Sequence, residues 1–432
     1  MFITLLVSII VILVFVASIL FLPSVAIGKH NVKLYSLIPL IGAIILVICN
    51  RVGFFYVIEK FLENTSVNPL KILVLFLSMT TFSLVLEQTG FFSFISIKVL
   101  ERAGNNQFVI FFSFYLVISL LTVFTSNDII ILTFTPFICH FCRSANISAM
   151  PYLFMEFVAA NTWSLLLIIG NPTNIYICGA FGVDFIEYVK VMILPTAFAG
   201  VTSLAVMLLL FYKKLKKPME RCEEHGEITD MPVMIISLVH LSVCVVALAV
   251  SQYIGVEMWL ISLAVSASEV LSVAICQTVR KKKYAVISKG LSGMPFEIIP
   301  FIIGMFIIVL ALESSGITEA LHKFLEPMPD IFTYGYLSFF AANVVNNIPM
   351  SVLFSKILSS GGSAALEGVY ATVIGSNIGA FLTPVGALAG IMWSNLLRKN
   401  GIKISFASFL KYGAIIGIPS VSAAIVALFV IM

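Results

Sequence analysis

The chain has 432 residues, of which 60% are hydrophobic and only 11% charged, with a mean hydropathy of +1.10 and a formal net charge of +4. A soluble globular domain carries about 25% charged residues, so the composition excludes one and describes a polytopic membrane protein. Nothing in the charge balance calls for nucleic acid. The seven cysteines lie mostly in apolar runs (Cys49, Cys178, Cys244, Cys276), where they act as small hydrophobes.

Apolar runs of about 20 residues cross the hydrocarbon core as helices, and the strict alternation of barrel strands is missing. The expected fold is therefore all-α. In chain order, the expected spans are 1–22, 32–50, 70–87, 149–182, 189–212, 231–251, 256–279, 296–313, 366–397 and 408–431. The first lacks a basic leader and a small-residue cleavage site, and reads as a span rather than a signal peptide. Between the third and fourth spans lie an amphipathic piece (about 91–103) and an apolar stretch, 107–142, interrupted at Ser126-Asn127-Asp128.

A carboxylate at bilayer depth costs about 3 kcal/mol on insertion scales and marks an ion or substrate path. Chain reversal at that depth is tolerated only where it is buried in protein or lines water. The stretch is thus expected to be a re-entrant helical hairpin with Asn127 and Asp128 at its tip. A second hairpin is expected over 331–359, its tip reading Asn343-Val344-Val345-Asn346-Asn347-Ile348-Pro349. The run 149–182 is broken by Gly170-Asn171-Pro172-Thr173-Asn174. The run 366–397 is broken by Ser376-Asn377-Ile378-Gly379 and by Thr383-Pro384-Val385-Gly386.

The order of parts is the same in 1–212 and in 231–432: two spans, a third ending in Glu-x-x-Gly, an amphipathic arm, a hairpin, a broken span and a last span. With five spans per unit, the second unit must be inserted upside down. Inverted repeats with broken helices at matching positions point to a secondary transporter with its site at the repeat interface. If the N-terminus is outside, 19 of the 25 Lys and Arg residues fall in inside loops, a strong positive-inside bias. Both termini are then expected outside, and the hydrophilic segment 213–230 becomes a cytoplasmic linker.

A polar cavity in lipid must be assembled from amides, hydroxyls and freed backbone groups. The expected substrate contacts are Asn127, Asn171, Thr173, Asn174, Asn346, Asn347, Ser376, Asn377 and Thr383, with Asn161, Thr162 and Asn343 beside them. Asp128, the one acid among them, is the expected ion-coupling residue, for protons or sodium. Glu87 and Glu313 end spans and read as interfacial, while Glu156 and Glu269 are weaker relay candidates. Cys139-His140-Phe141-Cys142 reads as helix packing rather than a metal pair, and Cys222 and His225 in the linker are weaker still. No catalytic or cofactor motif appears, so neither an enzyme nor a cofactor is expected. A channel would need a continuous polar pore rather than two discrete clusters.

Three stretches resemble the arsenite permeases (ArsB): Phe124-Thr125-Ser126-Asn127-Asp128 through Pro136; Asn346-Asn347-Ile348-Pro349; and Ile374-Gly375-Ser376-Asn377-Ile378-Gly379 through Ala389 with Trp393. These permeases belong to an ion-transporter superfamily with sodium/proton antiporters and divalent-anion/sodium symporters, which share a citrate-transporter-like domain. The resemblance implies a scaffold half and a transport half, a homodimer, an elevator-like shift, and expulsion of neutral arsenite or antimonite in exchange for protons. It leaves an ATPase subunit open. The family tends to carry Asp at the positions of Asn161 and Asn377 and Lys at that of Phe381, so this pocket carries less charge. The Gly170–Asn174 break looks instead like that of the carboxylate branch, which implies a sodium-coupled di- or tricarboxylate transporter as the alternative. A bacterial or archaeal plasma membrane is the expected location.

Overall fold

A computed structural model describes residues 1–21, 25–27, 30–65, 68–220, 227–282, 285–360 and 366–432. The central part of the expected linker, with Cys222 and His225, lies outside the described residues. The first half runs α1 (Phe2–Phe21), a two-stranded antiparallel ribbon β1 (Val25–Ile27) and β2 (His30–Val32), α2 (Leu34–Ile48), α3 (Phe54–Leu62), α4 (Pro69–Gln88), α5 (Phe91–Ala103), α6 (Gln107–Phe124), α7 (Asn127–Ser144), α8 (Ala149–Trp163), α9 (Pro172–Ala180) and α10 (Phe185–Leu215). The second half runs α11 (Met231–Ala249), α12 (Ser251–Ile254), α13 (Met258–Val279), α14 (Ala285–Ser292), α15 (Ile298–Ser314), α16 (Ile317–Leu325), α17 (Asp330–Val345), α18 (Asn347–Ser359), α19 (Leu366–Ile378), α20 (Leu388–Lys399) and α21 (Phe406–Ile431).

Among the described residues the regular structure is all helical apart from the ribbon. By length and hydropathy α1, α4, α6, α10, α11, α13 and α21 can each cross a membrane, and α15 with α16 forms a pair bent by 75°. The remaining expected spans are shorter pieces: α2 has 15 residues, and the two broken runs divide into α8 with α9 and α19 with α20. Short α3 and α14, at matching places in the two halves, have too few apolar turns to stand out in the sequence.

Local chemistry explains the element boundaries. Asn68 caps α4 by accepting from Leu70 N at 2.9 Å, with Pro69 in the first turn. Pro at that position costs no helical bond because its missing N–H would be unpaired anyway. Gly90 (φ +79°) and Gly316 (φ +72°) make the bends from α4 into α5 and from α15 into α16. A side chain there would strain the left-handed backbone.

Both hairpins fold back on themselves. Phe114 and Phe137 each lie eleven residues from the Thr125–Ser126 tip, and their ring centroids are 6.0 Å apart. In the second half Tyr334 meets Phe354 at 6.2 Å.

Neighbour relations in one half recur in the other. The α2 helix packs on α15 as α13 packs on α4, α6 on α8 as α17 on α19, and α7 on α20 as α18 on α9, while α10 pairs with α21. The corresponding helices α4 and α15 run in opposite senses. The start of α4 meets the start of α13 through a Lys71–Glu257 ion pair, and its end, at Leu84, lies against Gly290 and Gly293 just before α15 begins. The start of α15 meets that of α2 through a second ion pair, Lys33–Glu297.

Helices in lipid gain little from hydrophobicity alone and associate by close packing at small residues. Gly304 of α15 accordingly lies against the Pro39–Leu40 backbone of α2, and Gly375 of α19 against Gly335 and Ser338 of α17. Two bundles result: α1, α2, α4, α11, α13 and α15 in one, and the hairpins, broken helices, α10 and α21 in the other. The second bundle is locked by Phe154, Phe157, Trp393 and Phe409, whose rings lie 5.1 to 5.6 Å apart.

Candidate functional site

The two broken helices meet. The α8 helix ends at Trp163, a 3-10 turn covers Ile168–Gly170, and Asn171 caps α9 by accepting from Thr173 N at 3.1 Å. Opposite, α19 ends at Ile378 and passes through a 3-10 turn, Gly379–Phe381. Across this contact Asn377 Nδ2 donates to Asn174 Oδ1 at 2.7 Å, and Asn377 Oδ1 accepts from Asn171 Nδ2 at 2.8 Å and Ser164 Oγ at 3.0 Å. Ser376 Oγ donates to Thr173 Oγ1 at 3.2 Å.

Asn174 Nδ2 donates in turn to the carbonyls of Ser164 and Leu167, in the segment between α8 and α9. All these side chains are buried. Leaving one such group unpaired costs about 1–3 kcal/mol, so the network fixes how the two halves face one another.

The first hairpin tip joins this cluster at its edge. Asn127 Nδ2 donates to Asn161 Oδ1 at 3.0 Å. Asp128 lies in the first turn of α7 at 9% exposure, and no hydrogen bond or ion pair reaches its carboxyl among the described residues. Leu132, one helical turn further along α7, lines a cavity of about 500 Å³.

The second hairpin tip forms a separate cluster with the second break. Asn343 Oδ1 accepts from Thr383 N at 2.9 Å and from Thr383 Oγ1 at 2.8 Å, and Asn343 Nδ2 donates to the Gly379 carbonyl at 2.9 Å. Asn346 Nδ2 donates to the Val385 carbonyl at 2.8 Å, and Asn347 N donates to the Gly386 carbonyl at 2.9 Å. Asn346 holds φ +74° and ψ +150°, a conformation nearly confined to glycine and retained only where surroundings over-determine it. The Asn347 Oδ1 atom, buried beside it, has no hydrogen-bond partner among the described residues.

The expected site residues thus fall into two groups: Asn127, Asn161, Asn171, Thr173, Asn174, Ser376 and Asn377 in one, and Asn343, Asn346, Asn347 and Thr383 in the other. Ser164 belongs to the first group and was not expected; a serine one residue beyond a helix end carries no pattern that marks it. Thr133 bonds back onto its own helix, at the Ile129 carbonyl. Thr135 instead donates to Glu156 Oε1 at 2.8 Å. Glu313 pairs with Lys356 at 3.0 Å, which ties α15 to the second hairpin.

Helices α7, α9, α18 and α20 all begin at these clusters. Helix starts carry unsatisfied N–H groups and a partial positive charge. The arrangement can therefore hold polar oxygens or an anion without a buried cation.

A fold with two hairpins and two broken helices meeting at a buried polar centre defines the class: a multi-pass secondary transporter. Residues 1–368 match the citrate transporter (CitMHS) family, and the chain belongs to that family. It is 28% identical over 369 residues to the arsenical pump membrane protein of Escherichia coli K12, covering 80% of this chain and 82% of that one. It is 23% identical over 406 residues to a putative arsenical pump membrane protein of Bacillus subtilis, covering 87% and 89% of the two chains. Among solved structures, the YdaH transporter of Alcanivorax borkumensis superposes with a TM-score of 0.60 over 99% of this chain and 97% of that one, at 13% identity. That likeness concerns the fold.

Proposed function

We propose that the protein expels a small oxyacid or oxyanion of the arsenite or antimonite kind in exchange for protons. The amides and hydroxyls of the two clusters contact the substrate, and Asp128 is the coupling group. The second bundle moves against the first in an elevator-like shift. The observation that carries this reading is the meeting of the two breaks at Asn174 and Asn377, with Asp128 as the acid at the adjacent hairpin tip. The arsenical pump names of the relatives support the substrate class.

A second reading, a sodium-coupled di- or tricarboxylate transporter, is favoured by the four helix starts at the clusters, which suit an ionised oxygen ligand. In both readings the protein is a homodimer in the plasma membrane with extracytoplasmic termini.

The test is flux in proteoliposomes with an imposed proton gradient, offering arsenite in one set and citrate or succinate, with and without sodium, in another. Proton-driven arsenite movement is the expected outcome. Sodium-dependent carboxylate uptake without arsenite flux replaces the first reading by the second. Conductance without counterflow ends both.

A further inference from the structure

Two cavities flank α20. One, of about 500 Å³, is lined by Lys33, Glu297, Asn395, Arg398 and Lys399 and by Leu132. The other, of about 350 Å³, is lined by Pro384, Asn395, Arg398 and Lys403. Arg398 and Asn395 wall both. Leu132 lies one turn beyond Asp128, and Pro384 adjoins Thr383, so the two cavities lead from the end of α20 toward the two polar clusters.

Charge distinguishes this end of the molecule from the other. Among the described residues Glu297 is the only acid lining either cavity, and it is paired with Lys33. Among the described residues no ion pair reaches Arg398, Lys399 or Lys403, which leaves three uncommitted cations. At the opposite end a cavity of about 260 Å³ has, among the described residues, Lys71 and Glu257 as its only charged lining residues, and these pair with each other. A general excess of basic residues at one membrane face would not by itself concentrate them on both walls of one helix end.

We propose that this end of α20 is an anion-capture site. Arg398 is the shared anchor, Lys399 and Lys403 stand one on each side, and a small ionised oxyanion or carboxylate binds there before entering the clusters. A guanidinium presents a planar fork that matches carboxylate and oxyanion oxygens, and a cavity lined by one sign of charge raises the local concentration of its counter-ion. The proposal rests on the transporter reading and deepens it, because it assigns the substrate a negative charge at loading rather than a neutral form.

The test is equilibrium dialysis of radiolabelled citrate and of inorganic phosphate against the full-length protein in detergent at low ionic strength. Arg398, Lys399 and Lys403 are exposed, so binding is expected to fall steeply with added salt, and to weaken about threefold in Arg398→Gln and further when Lys399→Gln is added, as loss of solvent-exposed charge contacts predicts. Arg398→Lys keeps the charge and should retain most of the salt-sensitive binding. Lys323→Gln, which removes a surface cation elsewhere, should change nothing.

Absence of binding of either anion by the wild-type protein overturns the proposal, as does equal binding by Arg398→Gln and wild type, or an Arg398→Lys protein as deficient as Arg398→Gln. Intact anion binding with no flux in proteoliposomes would end the transport reading and leave the capture site standing.

Discussion

Asn377 donates a 2.7 Å hydrogen bond to Asn174 across 203 residues of sequence, and both side chains are completely buried. This amide pair joins two helices that each stop inside the protein, so it carries both the packing of the halves and the polarity of the centre. Replacing either residue by Ala should destabilise the protein by about 1–3 kcal/mol, because the remaining amide keeps its desolvation cost without its partner. The double variant should cost less than the sum of the two, as contacting residues couple. Thermal unfolding in detergent measures this, and strict additivity would show that the two amides do not act together.

Asp128→Asn should insert and fold as wild type while losing gradient-driven flux. Substrate counterflow, which needs no net proton movement, should persist. Wild-type concentrative transport by this variant would remove Asp128 from the coupling step.

The Asn346 backbone separates strain from bonding. Asn346→Gly relieves the positive φ but loses the side-chain bond to Val385, whereas Asn346→Ala loses the bond and keeps the strain. Ala should therefore be less stable than Gly by about 1–2 kcal/mol, the cost of holding a Cβ-bearing residue in that region. Equal unfolding temperatures would mean that the tip relaxes when its bond is removed.

Asp230, at the start of α11, is 5% exposed and paired with Lys282 at 2.9 Å and with Arg280. Burial alone would raise its carboxyl, but the two cations outweigh burial and hold it below the usual carboxylate value. Because the folded value lies below the unfolded one, this pair contributes stability that is fully present above the unfolded carboxylate pKa. The contribution is lost as pH falls through the folded value. Asp230→Asn should be less stable than wild type near neutral pH, and the gap should close in acid. A gap independent of pH would assign Asp230 a packing role only.

Much of this architecture could be read from the chain because lipid restricts the choices. Apolar length located α1, α4, α10, α11, α13 and α21, and the polar interruptions marked helix starts at Asn127, Asn171 and Asn346 and a helix end at Asn377, which the structure places at the tips and breaks. The partners were not legible. That Asn377 meets Asn174, while Thr383 meets Asn343, depends on which break faces which hairpin, and spacing along a chain carries no such information. Ser164 was missed for the same reason, since its role comes from Asn377, more than two hundred residues away. The α3 and α14 helices, too short to span, gave no apolar run of spanning length to find.

The two ion pairs at opposite ends of the first bundle have a consequence for assembly. In both Lys33–Glu297 and Lys71–Glu257, the cation comes from the first half of the chain and the anion from the second. Two copies of the first half, docked on one another in the same geometry, would set ammonium against ammonium at each end, and two copies of the second half would set carboxylate against carboxylate. Like charges in such contact repel, so the halves are matched as unlike mates. If the chain were cut in its hydrophilic middle and the fragments supplied separately, each would seek the other and reject its own kind.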